Sequence, residues 1–141
     1  MKLKRKYLLA ALVVLLLAGW YAYREYNRRP ADLTSLKPVD KMDALKLAAL
    51  YETDESKANT LYLGKAIDVS GTIADIQNQQ DTMINILLGD SDAMHKVSCM
   101  MNMNYAAEFK NYKPGDAVTI RGICTGYLMD VELNRCVIIN N

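Results

Sequence analysis

The chain has 141 residues, is 51% hydrophobic and carries a formal net charge of +1. The charge is unevenly placed: residues 1–29 hold seven Lys or Arg against Glu25 alone, whereas from Pro30 onward ten basic residues face fifteen acidic ones, a net of −5. An acidic globular part argues against binding driven by counterion release from a phosphate backbone, and about 100 residues behind the N-terminal segment suffice for one core and one domain.

Lys2, Lys4, Arg5 and Lys6 precede an uncharged run from Tyr7 to Tyr23. As a helix this run reaches about 25 Å, the short end of a bilayer span and longer than the apolar part of a usual signal peptide. Residues 1–23 are therefore expected to form a single transmembrane anchor, with Trp20, Tyr21, Tyr23 and Tyr26 at one interface. Leu17-Ala18-Gly19 resembles the three residues before a lipidated cysteine, but Trp20 offers no thiol for acylation. Ala18 and Ala22 leave cleavage by signal peptidase open. Residues 24–38 contain two prolines and little periodicity, and are expected to be a mobile polar tether.

The domain is expected over residues 39–141. Asp40 is the expected N-cap of a helix through Glu52, with Met42, Leu45, Ala49 and Leu50 on its apolar face. Asp54 caps a second helix to Tyr62, which stops at Gly64. The period then becomes alternating. Ile67, Val69, Gly71 and Ile73 mark a first strand, and Ile84, Ile86 and Leu88 a second. His95, Val97, Cys99 and Met101 mark a third, Val118, Ile120, Gly122 and Cys124 a fourth, and Val131, Leu133, Cys136 and Ile138 a fifth. The slip of phase at Asn134 and Arg135 predicts a bulge. A helical turn from Tyr105 to Lys110 is expected between the third and fourth strands. This order predicts a mainly β fold, a five-stranded OB-fold Greek-key barrel with an N-terminal helix, preceded by the transmembrane helix. The alternative is an open α+β sheet carrying the Asp40 to Glu52 helix on one face.

The segments Tyr51 to Asn59, Tyr62-Leu63-Gly64-Lys65 and Val69-Ser70-Gly71, then Val97-Ser98-Cys99, Pro114-Gly115-Asp116-Ala117-Val118, Gly122 to Gly126 and Cys136-Val137-Ile138, resemble a bacterial OB-fold family. That family is named for its likeness to tRNA-anticodon-binding domains. The likeness covers about residues 42 to 139. It implies an OB-like domain commonly exported as a lipoprotein or anchored protein, and it carries over no catalytic residue. With the basic N-terminus it favours a C-terminal domain outside the cytoplasm.

The three cysteines have inward phase. Cys124 and Cys136 flank the Tyr127 to Asp130 turn and are candidates for a disulfide in an exported domain, or all three are small buried hydrophobes. Adding His95 gives a three-cysteine, one-histidine set, but without the close ligand pairs of structural zinc sites no metal is expected. Met94, His95, Cys99, Met100, Met101 and Met103 are soft ligands for Cu(I), yet alternation splits them between two faces. No cofactor is expected. Lys96, Arg121 and Arg135 are read as solvated barrel exterior, too few for a phosphate groove, and strands two and three lack the aromatics on which bases stack. The sole histidine has inward phase, Ser98 lacks a nucleophile elbow, and Asp90 and Asp92 read as turn residues, so no enzyme is expected.

The resulting expectation is a noncatalytic, membrane-tethered binding module of the bacterial envelope, with a protein or small-molecule ligand. A nucleic-acid-binding OB domain is the disfavoured alternative. OB-folds bind on the outer face of strands two and three. Here that face comprises Met83, Asn85, Leu87, Met94, Lys96, Ser98 and Met100, whose flexible thioethers suit adaptable apolar contact. A competing arrangement has the Asp40 to Glu52 helix covering them as a second small core.

Overall fold

The structure, a computed structural model, describes residues 2–26, 33–79, 82–102, 105, 109 and 111–139, with the side chains of 2–6, 8–11, 25–26 and 79 outside the described set. The chain divides into two compact units, Met1–Asp32 and Leu33–Asn141. The first contains helix α1 (Lys2–Tyr26). Among the described residues no helix is long and apolar enough to cross a membrane. The run expected to do so begins at Tyr7, and the side chains of 8–11 lie outside the described residues.

The second unit runs β1 (Lys41–Asp43), α2 (Ala44–Thr53), α3 (Glu55–Tyr62), β2 (Ala66–Gln79), β3 (Met83–Leu88), β4 (Val97–Asn102), β5 (Ala117–Tyr127) and β6 (Val131–Ile138). The sheet order is β1-β2-β3-β4-β6-β5, and β2 also pairs with β5, so β2 to β6 close into a five-stranded barrel. Closure removes the open α+β alternative. The β4–β6 pairing is parallel, whereas β2–β3, β3–β4, β5–β6 and β2–β5 are antiparallel. The alternating residues of all five barrel strands meet in one core, with Phe109 among them. Of the predicted helical turn, Tyr105 and Phe109 are described, and the intervening residues lie outside the described set.

Helix α2 starts later than its sequence suggests. Asp43, not Asp40, is the N-cap, accepting from the Leu45 amide at 2.9 Å. The cause is tertiary: Lys41 to Asp43 pair in parallel with Asp68 to Ser70. Asp40 is drawn into this approach, its carbonyl accepting from the Asp68 amide at 3.0 Å and its carboxylate from the Tyr62 hydroxyl at 2.9 Å. The buried face is consequently Ala44, Leu47, Ala48 and Tyr51; of the expected face, Met42 and Leu50 are half-buried against the core, while Leu45 and Ala49 are exposed. Both sets satisfy the i, i+3, i+4 spacing, because ALKLAAL is apolar nearly all round. Helix α3 is capped by Asp54 as predicted, its side chain accepting from the Lys57 amide at 2.9 Å.

The predicted bulge is present at Arg135, whose φ is 59°. Arg121 pairs with Val137 but Ile123 with Asn134, so β6 carries an extra residue opposite Gly122. A Cβ on Gly122 would lie 2.7 Å from Cys136 Sγ and 2.9 Å from Leu133 Cβ, which is why the barrel needs glycine where β6 crowds β5. Gly71 serves the same end against α2, where a Cβ would lie 2.9 Å from that of Ala44.

Arg121 is not on the solvated exterior. It is buried, and its guanidinium donates to both carboxylate oxygens of Asp68, itself 1% exposed. Its Nη1 also donates to the carbonyls of Thr34 at 3.2 Å and Leu36 at 2.6 Å. Leu33 is buried against Ala66 and Val137. From Leu33 the expected tether is therefore part of the compact unit, and α1 takes its first residues to Tyr26, with 27–32 outside the described residues.

Candidate functional site

The outward residues of β3 and β4 face one another in register: Met83 opposite Asn102, Asn85 opposite Met100, and Leu87 opposite Ser98. In the middle Ser98 Oγ donates to Asn85 Oδ1 at 2.8 Å, and Asn85 is 7% exposed although it lies on the outer side of the barrel. Met83, Leu87, Ser98 and Met100 are half-buried around this pair. Among the described residues, Met83, Leu87, Met94 and Met100 are absent from the core into which α2 packs. The helix plugs the barrel instead of covering this face. The face is thus a neutral amide and hydroxyl pair set in flexible apolar side chains.

The structure separates Met94 and Lys96 from this face, because β4 begins at Val97. Met94 is 89% exposed in the β3–β4 loop. The Lys96 amide donates to Asp130 Oδ1 at 2.7 Å, and its ammonium turns back to the Ala93 carbonyl at 2.7 Å. His95, expected to point inward from the third strand, also belongs to this loop and is half-buried. Its Nδ1 lies 2.8 Å from the Met129 carbonyl and 3.1 Å from the Tyr127 hydroxyl, so Nδ1 carries a proton and donates. Nε2 lies 3.8 Å from Glu52 Oε1. His95 therefore joins the β3–β4 loop to the β5–β6 turn, beside the end of α2. Sequence reading missed this junction, since the three segments are far apart in the chain and turn geometry alone decides that they meet.

Tyr127, the last residue of β5, is engaged in this junction. Its ring stacks on Tyr51 at 5.8 Å, and Tyr51 Oη lies 3.0 Å from Cys124 Sγ. Cys99, Cys124 and Cys136 are free and buried. Cys124 pairs across the hairpin with Leu133, and Cys136 lies against Gly122, because the β5–β6 register set by Ile120 opposite Ile138 and Arg121 opposite Val137 leaves the two cysteines out of step. The Cys136 thiol is held protonated by burial and by a hydrogen bond with Cys99. Among the described residues, no group of three or more His, Cys, Asp or Glu side chains is placed to hold a metal, and Met103 of the soft-ligand set lies outside them.

Burial, and then the bond to Cys124, push the Tyr51 phenol well above its usual range; burial and then Asp40 raise Tyr62. Both phenols bind their protons more tightly folded than unfolded. The stability they contribute is fully present below the unfolded value of about 10 and is lost as pH rises beyond it. Thermal melts across an alkaline series are expected to show constant stability up to that point and a fall above it. Tyr51→Phe is expected to make the fall shallower, and an unchanged alkaline limb in that variant would remove Tyr51 as a cause.

No curated protein matches the chain. Among solved structures, a Klebsiella pneumoniae lipoprotein provisionally assigned nucleic-acid binding superposes with a TM-score of 0.60 at 17% identity, covering 79% of this chain and 100% of that one. An Entamoeba histolytica asparaginyl-tRNA synthetase gives 0.43 at 16% identity, over 55% of this chain and only 21% of the synthetase. A replication factor A related protein from Methanobacterium thermoautotrophicum gives 0.42 at 14%, over 57% and 86%. At such identities the likeness speaks for the fold alone, which is the OB-like barrel already described. The tRNA_anti-like family profile matches residues 1–138, and with the closed barrel in place the chain belongs to that family.

Proposed function

We propose that this protein is a noncatalytic binding module, tethered to the membrane by α1 with its barrel outside the cytoplasm, that docks a protein or small apolar ligand on the β3–β4 face. The observation that carries the reading is the composition of that face. Met83, Leu87 and Met100 surround the bond of half-buried Ser98 to buried Asn85, and neither strand contains an aromatic or a basic residue. Base stacking and phosphate neutralisation both lack their usual partners there. Thioethers supply adaptable dispersion contacts, and the amide and hydroxyl fix orientation. Tethering is supported by the uncharged Tyr7 to Tyr23 run and by the lipoprotein nature of the Klebsiella neighbour, with Trp20 directing the reading to a helix anchor rather than acylation.

The test is site-specific photocrosslinking in the native envelope, with the photoreactive side chain at position 100 and, as a control, at the exposed position 57 on α3. A discrete adduct from 100 alone, abolished by Met83→Glu in a chain that still melts cooperatively, is the expected result. The full chain in detergent is expected to hold single-stranded oligonucleotides no better than millimolar at physiological salt. Micromolar anisotropy binding with a steep salt slope would transfer the assignment to nucleic acid.

A further inference from the structure

Cys99, Cys124 and Cys136 are the three cysteines of the chain, and all lie free in the barrel core. Their arrangement centres on Leu133. In the sheet Leu133 stands between its parallel partner on β4, Cys99, and its antiparallel partner on β5, Cys124. Cys136, further along β6, turns its thiol back to donate to the Leu133 carbonyl at 3.4 Å. It thus reaches the row that holds both other cysteines, and each is a geometric candidate for a bond to it.

The contacts of the other two thiols decide between them. Cys124 Sγ lies 3.0 Å from the Tyr51 hydroxyl and is directed at α2. Cys99 and Cys136 instead hydrogen-bond to each other, and the Met100 backbone bonds to Cys136 from the next position of β4. Cys136 is therefore held against two successive residues of β4. Gly122 gives its sulfur room, since a Cβ there would lie 2.7 Å away. Sulfurs in hydrogen-bond contact have to approach by about 2 Å to reach the bonded distance of about 2.05 Å, which rotation of two short side chains supplies.

We infer that Cys99 and Cys136, and not the hairpin neighbours Cys124 and Cys136, form a disulfide when the domain folds in an oxidising compartment. The chemistry is two successive thiol–disulfide exchanges with a donor disulfide such as oxidised glutathione. One cysteine, as thiolate, attacks the donor and expels one donor thiol. The other then attacks the mixed disulfide and expels the second, so the chain gives up two electrons and two protons and the donor becomes two thiols. Both thiols are buried once the barrel closes, so the exchange belongs to folding rather than to the closed barrel. The bond joins β4 to β6 and closes a loop containing all of β5, a constraint on the unfolded chain. Only the place where the bond forms in the cell rests on the proposed location outside the cytoplasm.

Refolding of the reduced full chain, in detergent with oxidised and reduced glutathione, tests the pairing. The product is alkylated under denaturing conditions, digested and mapped by mass spectrometry. The expected map has Cys124 alkylated and one linked peptide pair containing Cys99 and Cys136. The bridged chain is expected to melt about 10 °C or more above the reduced one. Cys124→Ser is expected to keep the bridge, whereas Cys99→Ala is expected to leave both remaining thiols open to alkylation. A linked pair containing Cys124, three alkylated cysteines after refolding in oxidised glutathione alone, or equal melting of the bridged and reduced chains would each overturn the inference. The wild-type map decides even where a variant fails to fold. A bridge that forms on refolding, while acid-trapped cells show three free thiols, supports the inference and counts against the location outside the cytoplasm.

Discussion

Asp68→Asn is expected to destabilise the barrel by about 3–5 kcal/mol, because it leaves the Arg121 guanidinium buried without its counter-charge. Asp68 is 1% exposed and Arg121 is 8% exposed, and the carboxylate accepts from the guanidinium at both oxygens. That hydrogen bonding, ahead of the opposing effect of burial, makes Arg121 hold its proton still more tightly. Arg121 therefore cannot escape the loss by becoming neutral. Lys41, 3.7 Å from Asp68 Oδ2 and largely in solvent, is a minor partner. In a domain of about 100 residues each kcal/mol moves Tm by about 4–8 °C, so a fall of more than about 12 °C is anticipated in a thermal melt. Arg121→Met should cost a similar amount and also release the Thr34 and Leu36 carbonyls, loosening the segment that enters the domain. The double variant Asp68→Leu with Arg121→Met should recover part of the loss, since it leaves no unpaired charge. A D68N melt within about 1 kcal/mol of wild type would show that the pair is not stabilising the barrel.

Gly122→Ala should cost about 1–3 kcal/mol by overpacking. The added methyl would sit 2.7 Å from Cys136 Sγ and 2.9 Å from Leu133 Cβ, both inside van der Waals contact. Leu133 Cβ is fixed by its backbone, so the structure has to yield through Cys136 or by separating β5 from β6. Cys136→Ala removes the nearer obstruction. Its own cavity cost and its relief of the clash act in opposite directions, so the double variant should be less destabilised than the sum of the singles. Denaturant melts of the four chains measure that coupling. Strict additivity would mean that the strands separate instead of repacking around the thiol.

The alternation of Ile67, Val69 and Ile73, of Ile84, Ile86 and Leu88, and of their counterparts in the later strands determined the five barrel strands and their inward faces. Side-chain direction in a strand follows from a period of two, and that period is local. The same local logic located the bulge, since the phase slip at Asn134 and Arg135 is written in the apolar pattern itself. The α3 cap at Asp54 is equally local. What contacts remote in sequence decide was not legible. The parallel pairing of Lys41 to Asp43 with β2 moved the α2 cap and turned a different face of a nearly all-apolar helix into the core. Arg121 reads as a surface cation until Asp68, 53 residues away, is placed beside it. Of the candidate face, the outward phase of Met83, Asn85, Leu87, Ser98 and Met100 followed from the sequence. That Asn85 is buried in a bond to Ser98, that Met94 and Lys96 leave the face for a loop, and that His95 ties that loop to Met129 and Tyr127 depend on where the turns bring the strand ends. A polar side chain's partner is fixed by closure of the barrel, and closure is a property of the whole fold rather than of any segment in it.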